Sequence, residues 1–381
     1  MVPVRPTGMW QLLLVCSAFL VLLTGCVTRP AESPQFRAIT PMEAVSLRQT
    51  ENTVGLKPQI PASEDGETNI LALSGGGAYG AYGVGVLNGW SRKGDRPEFD
   101  IVTGVSTGAL IAVFAFLGPE YDQMLRDLYV NTRTEDIFTN RGIRGLLGDS
   151  LYDNTPLKRR IEKYITPALL KNIAAEHAKG RRLYVATTNL DAGALVVWDM
   201  GQIASGGRSN PLQHFQKVLR ASAAVPGFFP PVYIKPQRGV QLRQAHVDGG
   251  VKAPLLVSDF LFSGKAKKRN LYVIANDNIS SRDAYAAVDG GLPSIARKTI
   301  ATLTKELLIQ TVFRGYARAV NSNSKFYITS VPRELGQNAQ SLSFDQALMN
   351  RLYDAGVKNA LSATPWKRQP EGVRRFDVAR N

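Results

Sequence analysis

Residues Ile101-Val102-Thr103-Gly104-Val105-Ser106-Thr107-Gly108, running directly into the apolar stretch Ala109 to Leu117, decide how this chain folds. Phe99 to Thr103 reads as a strand, following the turn residues Gly94-Asp95-Arg96-Pro97. Ala109 to Leu117 is apolar all round, which fits a helix buried on every side and too short to cross a bilayer. Between strand and helix lies G-x-S-x-G. The sharp turn leaves no room for flanking side chains, so Gly104 and Gly108 permit close backbone approach. Ser106 then projects from the turn beside the positive N-terminus of the following helix, as a nucleophile would.

Working outward, Asn69 to Leu73 is a second β-type run, and it breaks into Ser74-Gly75-Gly76-Gly77-Ala78-Tyr79-Gly80. A glycine-rich, tightly packed helix is expected from Tyr79 to Trp90. Strand, helix, strand, helix in quick succession implies parallel strands joined by right-handed crossovers. Backbone amides of Gly75, Gly76 and Gly77, one crossover from Ser106, could converge on a developing oxyanion. The same glycines also fit the dinucleotide pattern G-x-G-x-x-G. That site needs an acidic residue at the end of the second strand. Asp100 stands at its start, and Gly104-Val105-Ser106 occupies the end, so the nucleotide reading is set aside.

Downstream, Thr155-Pro156 has the chemistry of an N-cap followed by a first-turn proline, with Leu157, Ile161, Tyr164 and Ile165 on one helical face. Leu183 to Thr187 and Ala194 to Trp198 read as strands around the turn Asp191-Ala192-Gly193. Ala245 to Val247, Leu271 to Ala275 and Lys325 to Thr329 are further strands. Ala296, Ile300, Leu303 and Leu307 mark a long late helix, expected to be core. The expectation is one α/β domain over residues 68–363.

The general base is the open question. The order Ser, acid, His of α/β-hydrolases would require His214 or His246, since no histidine follows His246, with Asp191 or Asp199 as the acid. The alternative is a Ser–Asp dyad. Val247-Asp248-Gly249-Gly250 ends a short strand and turns without side chains, which suits a carboxylate presented at a strand edge. Aspartate is a weak base in water, with a pKa of ~3.9, so it needs direct contact with Ser106 and shielding from solvent. A second Asp-Gly-Gly, at Asp289, reads as a loop turn.

These elements together resemble the patatin-like phospholipase family. The glycine loop from Gly75, the elbow around Ser106 and the late Asp248-Gly249-Gly250 occur in the family's order. Between the last two lies Ala221-Ser222-Ala223-Ala224-Val225-Pro226-Gly227-Phe228-Phe229-Pro230-Pro231, similar to the family's Ala-Ser…Pro…Phe-Pro-Pro segment. Leu151-Tyr152-Asp153-Asn154-Thr155-Pro156-Leu157 is similar to a segment of bacterial members. The resemblance implies a three-layer α/β/α fold with a mostly parallel central sheet, and lipid acyl hydrolysis by a Ser–Asp dyad without histidine, metal or other cofactor. It assigns Ser106 as nucleophile, Asp248 as base, and the Gly75, Gly76 and Gly77 amides as the oxyanion hole. Tyr79 stands where the family often has Arg or Lys, and Ala253-Pro254 where many members have Asn-Pro.

The rest of the chain bears on address and partners. Its 381 residues carry 46 Lys+Arg against 31 Asp+Glu, a formal charge of +15. Hydrophobic residues are 44% and charged residues 20%, which excludes a largely disordered chain. Cys16 and Cys26 alone exclude a disulfide scaffold and a multi-cysteine zinc site. Residues 1–25, with an apolar run from Leu12 to Leu23, read as a signal peptide. Leu23-Thr24-Gly25-Cys26 resembles the lipobox of bacterial lipoproteins. That resemblance implies lipidation at Cys26, and Val27 in the next position implies the outer membrane, facing the periplasm. Residues 26–67 read as a tether, and residues 364–381 as a basic tail. Lys265, Lys267, Lys268 and Arg269, and the tail residues Lys367, Arg368, Arg374, Arg375 and Arg380, suit anionic lipid head groups. Export and an anchor argue against nucleic acid. The expected substrate is thus membrane phospholipid or lysophospholipid. A small-molecule carboxylesterase or thioesterase, and a catalytically silent lipid-binding lipoprotein, are the alternatives.

Overall fold

The computed structural model describes residues 66–372 apart from 143, 144, 146, 207–209, 236–242, 264, 265, 267, 281–286, 289 and 337–340, and the side chains of 292 and 293. The expected signal peptide, Cys26 and the tether up to residue 65 lie outside the described residues, as do Lys265, Lys267, Asp289, Arg374, Arg375 and Arg380; Glu67, expected to end the tether, is already a strand residue.

β1 (Glu67–Leu73) leads through the glycine loop and a turn of 3-10 helix into α1 (Gly80–Lys93). β2 (Ile101–Val105) then leads through Ser106 into α2 (Thr107–Leu117), and α3 (Asp122–Val130) follows. A two-stranded ribbon of β3 (Thr139–Asn140) and β4 (Tyr152–Asp153) precedes α4 (Thr155–Tyr164) and α5 (Pro167–Ala178). β5 (Arg182–Asn189) and β6 (Ala194–Asp199) form a hairpin over the turn read from Asp191-Ala192-Gly193. α6 (Met200–Ala204), α7 (Pro211–Ser222), β7 (Val232–Ile234) and β8 (Gln244–Asp248) come next. β9 (Lys268–Ala275), α8 (Leu292–Asn321), β10 (Lys325–Ser330) and α9 (Gln346–Leu361) complete the order.

The sheet runs β10-β9-β1-β2-β5-β8-β7, with β6 also paired to β5. β10, β9, β1, β2 and β5 are parallel, while β6, β7 and β8 are antiparallel to their neighbours. Alternate residues of β1 enter two cores, as a period of two requires. Leu71 and Leu73 face the layer holding α1, α2, α7 and α9. Ile70 and Ala72 face Leu255–Val257 and the second half of α8. The result is a three-layer α/β/α sandwich. On α1, a Cβ at Gly85 would lie 2.0 Å from the Tyr353 carbonyl, so this glycine lets α9 pack directly on the helix backbone.

Three expectations change. The N-cap of α4 is Asn154, with Thr155 the first helical residue; the Asp153 carboxylate accepts from both the amide and the hydroxyl of Thr155, at 3.0 and 2.7 Å. α8 is fully buried only from Leu308 onward, at Leu308, Val312 and Ala319; before that Ile300 is half-buried against the core, while Ala296 and Leu303 are exposed. Its 30 residues make a rod of about 45 Å, longer than the sheet face it covers, so its first half overhangs and Leu303 is 65% exposed. The basic tail does not begin at residue 364. Lys367 exchanges two 2.9 Å backbone hydrogen bonds with Ile328 of β10, and Trp366 packs 4.7 Å from Trp90. Arg368 lies 4.1 Å over the Tyr327 ring, so the folded unit runs to at least Arg368.

Candidate active site

The site forms where the C-terminal ends of β1 and β2 meet the strand end of β8. Ser106 has φ 55° and ψ −126°, a conformation that costs a non-glycine residue about 1–3 kcal/mol. The elbow is held from three sides. A Cβ on Gly104 would lie 2.4 Å from the Gly108 carbonyl, and one on Gly108 would lie 2.5 Å from the carbonyls of Leu73 and Ser74. The Ser106 amide donates to Ser222 Oγ at 3.0 Å, and Ser222 Oγ donates to the Ala186 carbonyl at 2.7 Å. Ser222 ends α7 within the Ala-Ser segment, and its positioning role was not read from the sequence. Its neighbours there gave no cue beyond family likeness.

The Ser106 hydroxyl lies beside the Asp248 carboxylate, close enough to lower the acid's pKa. Asp248 is held by its own amide, which donates to the Ala224 carbonyl at 2.8 Å, and by the Gly250 amide, which donates to Oδ1 at 2.7 Å. Burial raises its pKa to about 6, and the Ser106 hydroxyl and the hydrogen bond from Gly250 oppose that rise. Free aspartate is too weak a base for a serine hydroxyl, and this environment moves Asp248 toward neutrality while leaving it ionised at pH 7.

The three glycines are not equivalent. The Gly75 amide donates to the Pro254 carbonyl at 3.0 Å, so it anchors the loop and is not available to an oxyanion. This corrects the expectation of three donors. Among the described residues the Gly76 and Gly77 amides have no acceptor, and they remain the candidates. Gly76 has φ 154°, and a Cβ there would collide with the Asn276 carbonyl at 1.8 Å. Pro254, in the Ala253-Pro254 pair that stands where many members have Asn-Pro, is thus the residue that accepts the loop's first amide.

The histidines sit elsewhere. His246 meets Thr187 Oγ1 at 3.0 Å and packs against Trp198, and burial pushes its pKa down to about 4. His214 also packs against Trp198, edge to face at 5.4 Å. His177 lies 3.6 Å from Asp199, which caps α6, and Asp191 accepts from the Ala245 amide at 2.8 Å. The Ser–acid–His order therefore finds no partner at Ser106 among these groups. Asp100 accepts from the Asn69 amide at 2.7 Å at the opposite strand end, far from any glycine-loop ligand, so the dinucleotide reading fails as well.

Ser106 and Asp248 open into a cavity of about 910 Å³. Leu110 and Phe114 of α2 line it, although α2 was expected to be core packing only; they face it because they lie one and two turns beyond Ser106 on one helix face. Leu125 and Leu128 of α3 and Leu157 and Ile161 of α4 continue the apolar wall. Phe138, Tyr152, Phe228 and Phe229 add an aromatic side, with Phe138 4.6 Å from Tyr152 and 5.4 Å from Phe229. Tyr79 is buried against the same space. Among the described residues no three His, Cys, Asp or Glu side chains gather as a metal site would require.

The profile of the patatin-like phospholipase family matches residues 71–261, half of the chain, and this span carries the glycine loop, Ser106 and Asp248. The chain belongs to the patatin-like phospholipase family. Among curated proteins, this patatin-like chain is 26% identical over 208 residues to a cGAMP-activated phospholipase of Escherichia coli (strain TW11681). It is 44% identical over 78 residues to a cUMP-AMP-activated phospholipase of Escherichia coli. These alignments cover 51% and 19% of this chain; the chain spans about half the length of the first relative, 55%, and 24% of the second. Among solved structures, VipD from Legionella pneumophila aligns at 12% identity with a TM-score of 0.35, over 78% of this chain and 70% of that one.

Proposed function

We propose that this patatin-like protein is a serine acyl hydrolase that cleaves fatty acids from phospholipid or lysophospholipid esters, using Ser106 and Asp248. The observation that carries the reading is a serine on a strained elbow, beside a buried carboxylate, both lining a large apolar cavity.

Asp248 accepts the Ser106 proton as Oγ attacks the ester carbonyl. Negative charge develops on the carbonyl oxygen, and the Gly76 and Gly77 amides stabilise it, helped by the N-terminus of α2. The tetrahedral intermediate collapses, the glycerol oxygen takes the proton from Asp248, and an acyl-serine remains. Water then attacks with Asp248 again as base, releasing the fatty acid and restoring Ser106. Phospholipid is favoured over small esters by the apolar wall beside Ser106, where each buried methylene contributes about 0.8 kcal/mol. Anchoring through Cys26 at an outer membrane would put this site beside its substrate, and rests on the lipobox-like Leu23–Cys26 alone.

A p-nitrophenyl ester series and mixed phospholipids, incubated with wild type, Ser106→Ala and Asp248→Asn, test the reading. Turnover that rises with chain length and is lost in both variants is the expected result. Turnover that persists in Asp248→Asn, or is lost in His246→Ala, removes the dyad. A folded wild type inert toward every ester would leave a lipid-binding protein instead.

A further inference from the structure

The rim of the cavity carries an apolar and cationic surface that lipid hydrolysis chemistry does not use. Val251, Val288, Ile295 and Leu303 are large apolar side chains exposed by 42 to 65%, and all four lie on the two segments bordering the cavity. One segment directly follows Asp248; the other is the overhanging first half of α8, with Val288 shortly before it. On α8, Ile295 and Leu303 are both exposed, eight residues and about 80° of helix turn apart, and Leu303 also borders the cavity. Arg297 and Lys298 line the mouth between them, and Lys252 is exposed next to Val251. Acidic groups nearby are Glu306, which accepts from Gln310 at 2.9 Å, and Asp277 in the cavity wall.

We infer that this rim is a docking surface for an anionic lipid bilayer, which seats the mouth of the cavity against the head groups. The inference rests on the proposed lipid substrate. Isolated apolar side chains set among cations are the pattern of an element lying in a bilayer interface, with apolar groups inserted and cations at the phosphates. The patch is continuous with the cavity, so a lipid leaving the bilayer would pass from rim to Ser106 without crossing open water. The excess of positive charge, +15 over the chain, complements an anionic surface and not a neutral one.

Ile295→Asp and Lys252→Glu test it, because neither side chain lines the cavity. The full chain and both variants are assayed on a soluble short-chain p-nitrophenyl ester. They are also assayed for flotation with vesicles of phosphatidylcholine, alone or mixed with phosphatidylglycerol, at low and high salt. Any anchor contributes equally to all three proteins. The expected result is unchanged soluble-ester turnover, with vesicle binding of Ile295→Asp down about tenfold on both compositions. Lys252→Glu should lose about fivefold on the mixed vesicles only, and only at low salt. Vesicle binding equal to wild type in both variants overturns the docking surface. So does a matching loss of soluble-ester turnover, which would make the rim part of the fold or the site. A wild type that floats with vesicles but hydrolyses nothing defeats the acyl hydrolase reading and leaves the surface standing.

Discussion

Asp248 is the side chain whose environment does most to define the chemistry. Its pKa of about 6 sits well above the ordinary 3.8, so hydrolysis should rise with pH through about 6 as the carboxylate ionises, which a kcat/KM profile checks. The same shift acts on stability. A folded pKa raised above the unfolded one stabilises fully below about 3.8, and that contribution is lost as pH rises through about 6. Asp248→Asn removes the ionised form, so at pH 7–8 the variant should unfold at equal or higher denaturant, by as much as roughly 2–3 kcal/mol, with the gap closing below pH 4. Its activity should fall by about a thousandfold or more, as should that of Ser106→Ala. A variant that is inactive yet no less stable separates chemistry from folding. Ser222→Ala should behave differently. It leaves the buried Ser106 amide without its acceptor, costing about 1–3 kcal/mol in denaturant unfolding and lowering kcat with little change in KM.

Among the elements, α2 and α3 set a length. They run antiparallel, with Thr107 Oγ1 2.5 Å from the Tyr129 hydroxyl at one end and Phe114 6.2 Å from the Tyr121 ring at the other. The α2 residues lining the cavity run from Thr107 to Phe114, which spans about 10 Å from beside Ser106. An acyl chain laid along α2 would meet Phe114 at that distance. Rates on a p-nitrophenyl ester series should stop rising near medium chain length, and Phe114→Ala should move that plateau outward by several carbons. An unchanged profile would mean that the chain runs along α8 instead. The strand and helix types of β1, α1, β2 and α2 were legible because apolar runs and glycine breaks coincide there. α3, α5, α7 and α9 were not read from the sequence. α5 and α9 have weak apolar periodicity, and their contacts with distant helices decide them; α3 and α7 carry clear apolar stripes that a fuller reading would have found. α8 differs, because its apolar residues continue past the point at which full burial ends, so the sequence reads as core along its whole length.

At the scale of the whole molecule, the two ends of the described chain close on the sheet. Gly66 accepts from the Lys268 amide, and the segment after α9 adds Lys367 to β10 with Trp366 and Arg368 on the aromatic cluster of Trp90, Tyr272 and Tyr327. A chain ending at residue 363 should therefore melt roughly 5 °C lower by calorimetry, while one ending at residue 372 should keep the wild-type Tm. What the sequence determined by itself was local: the elbow at Ser106, the glycine loop after β1, the carboxylate at the end of β8, and an α/β alternation that the order of strands and helices already implies. Each depends on residues adjacent in the chain, where turn sterics and period decide the outcome. What the tertiary structure decided was pairing across long separations. It brought Asp248 to Ser106 over 142 residues, as 248 minus 106, tied the Gly75 amide to Pro254, and left the histidines on Trp198 and Asp199. It also ran the first half of α8 beyond the sheet. None of these has a local signature, because an antiparallel β8 beside a parallel β5, and a helix longer than its sheet, are consequences of how the layers close.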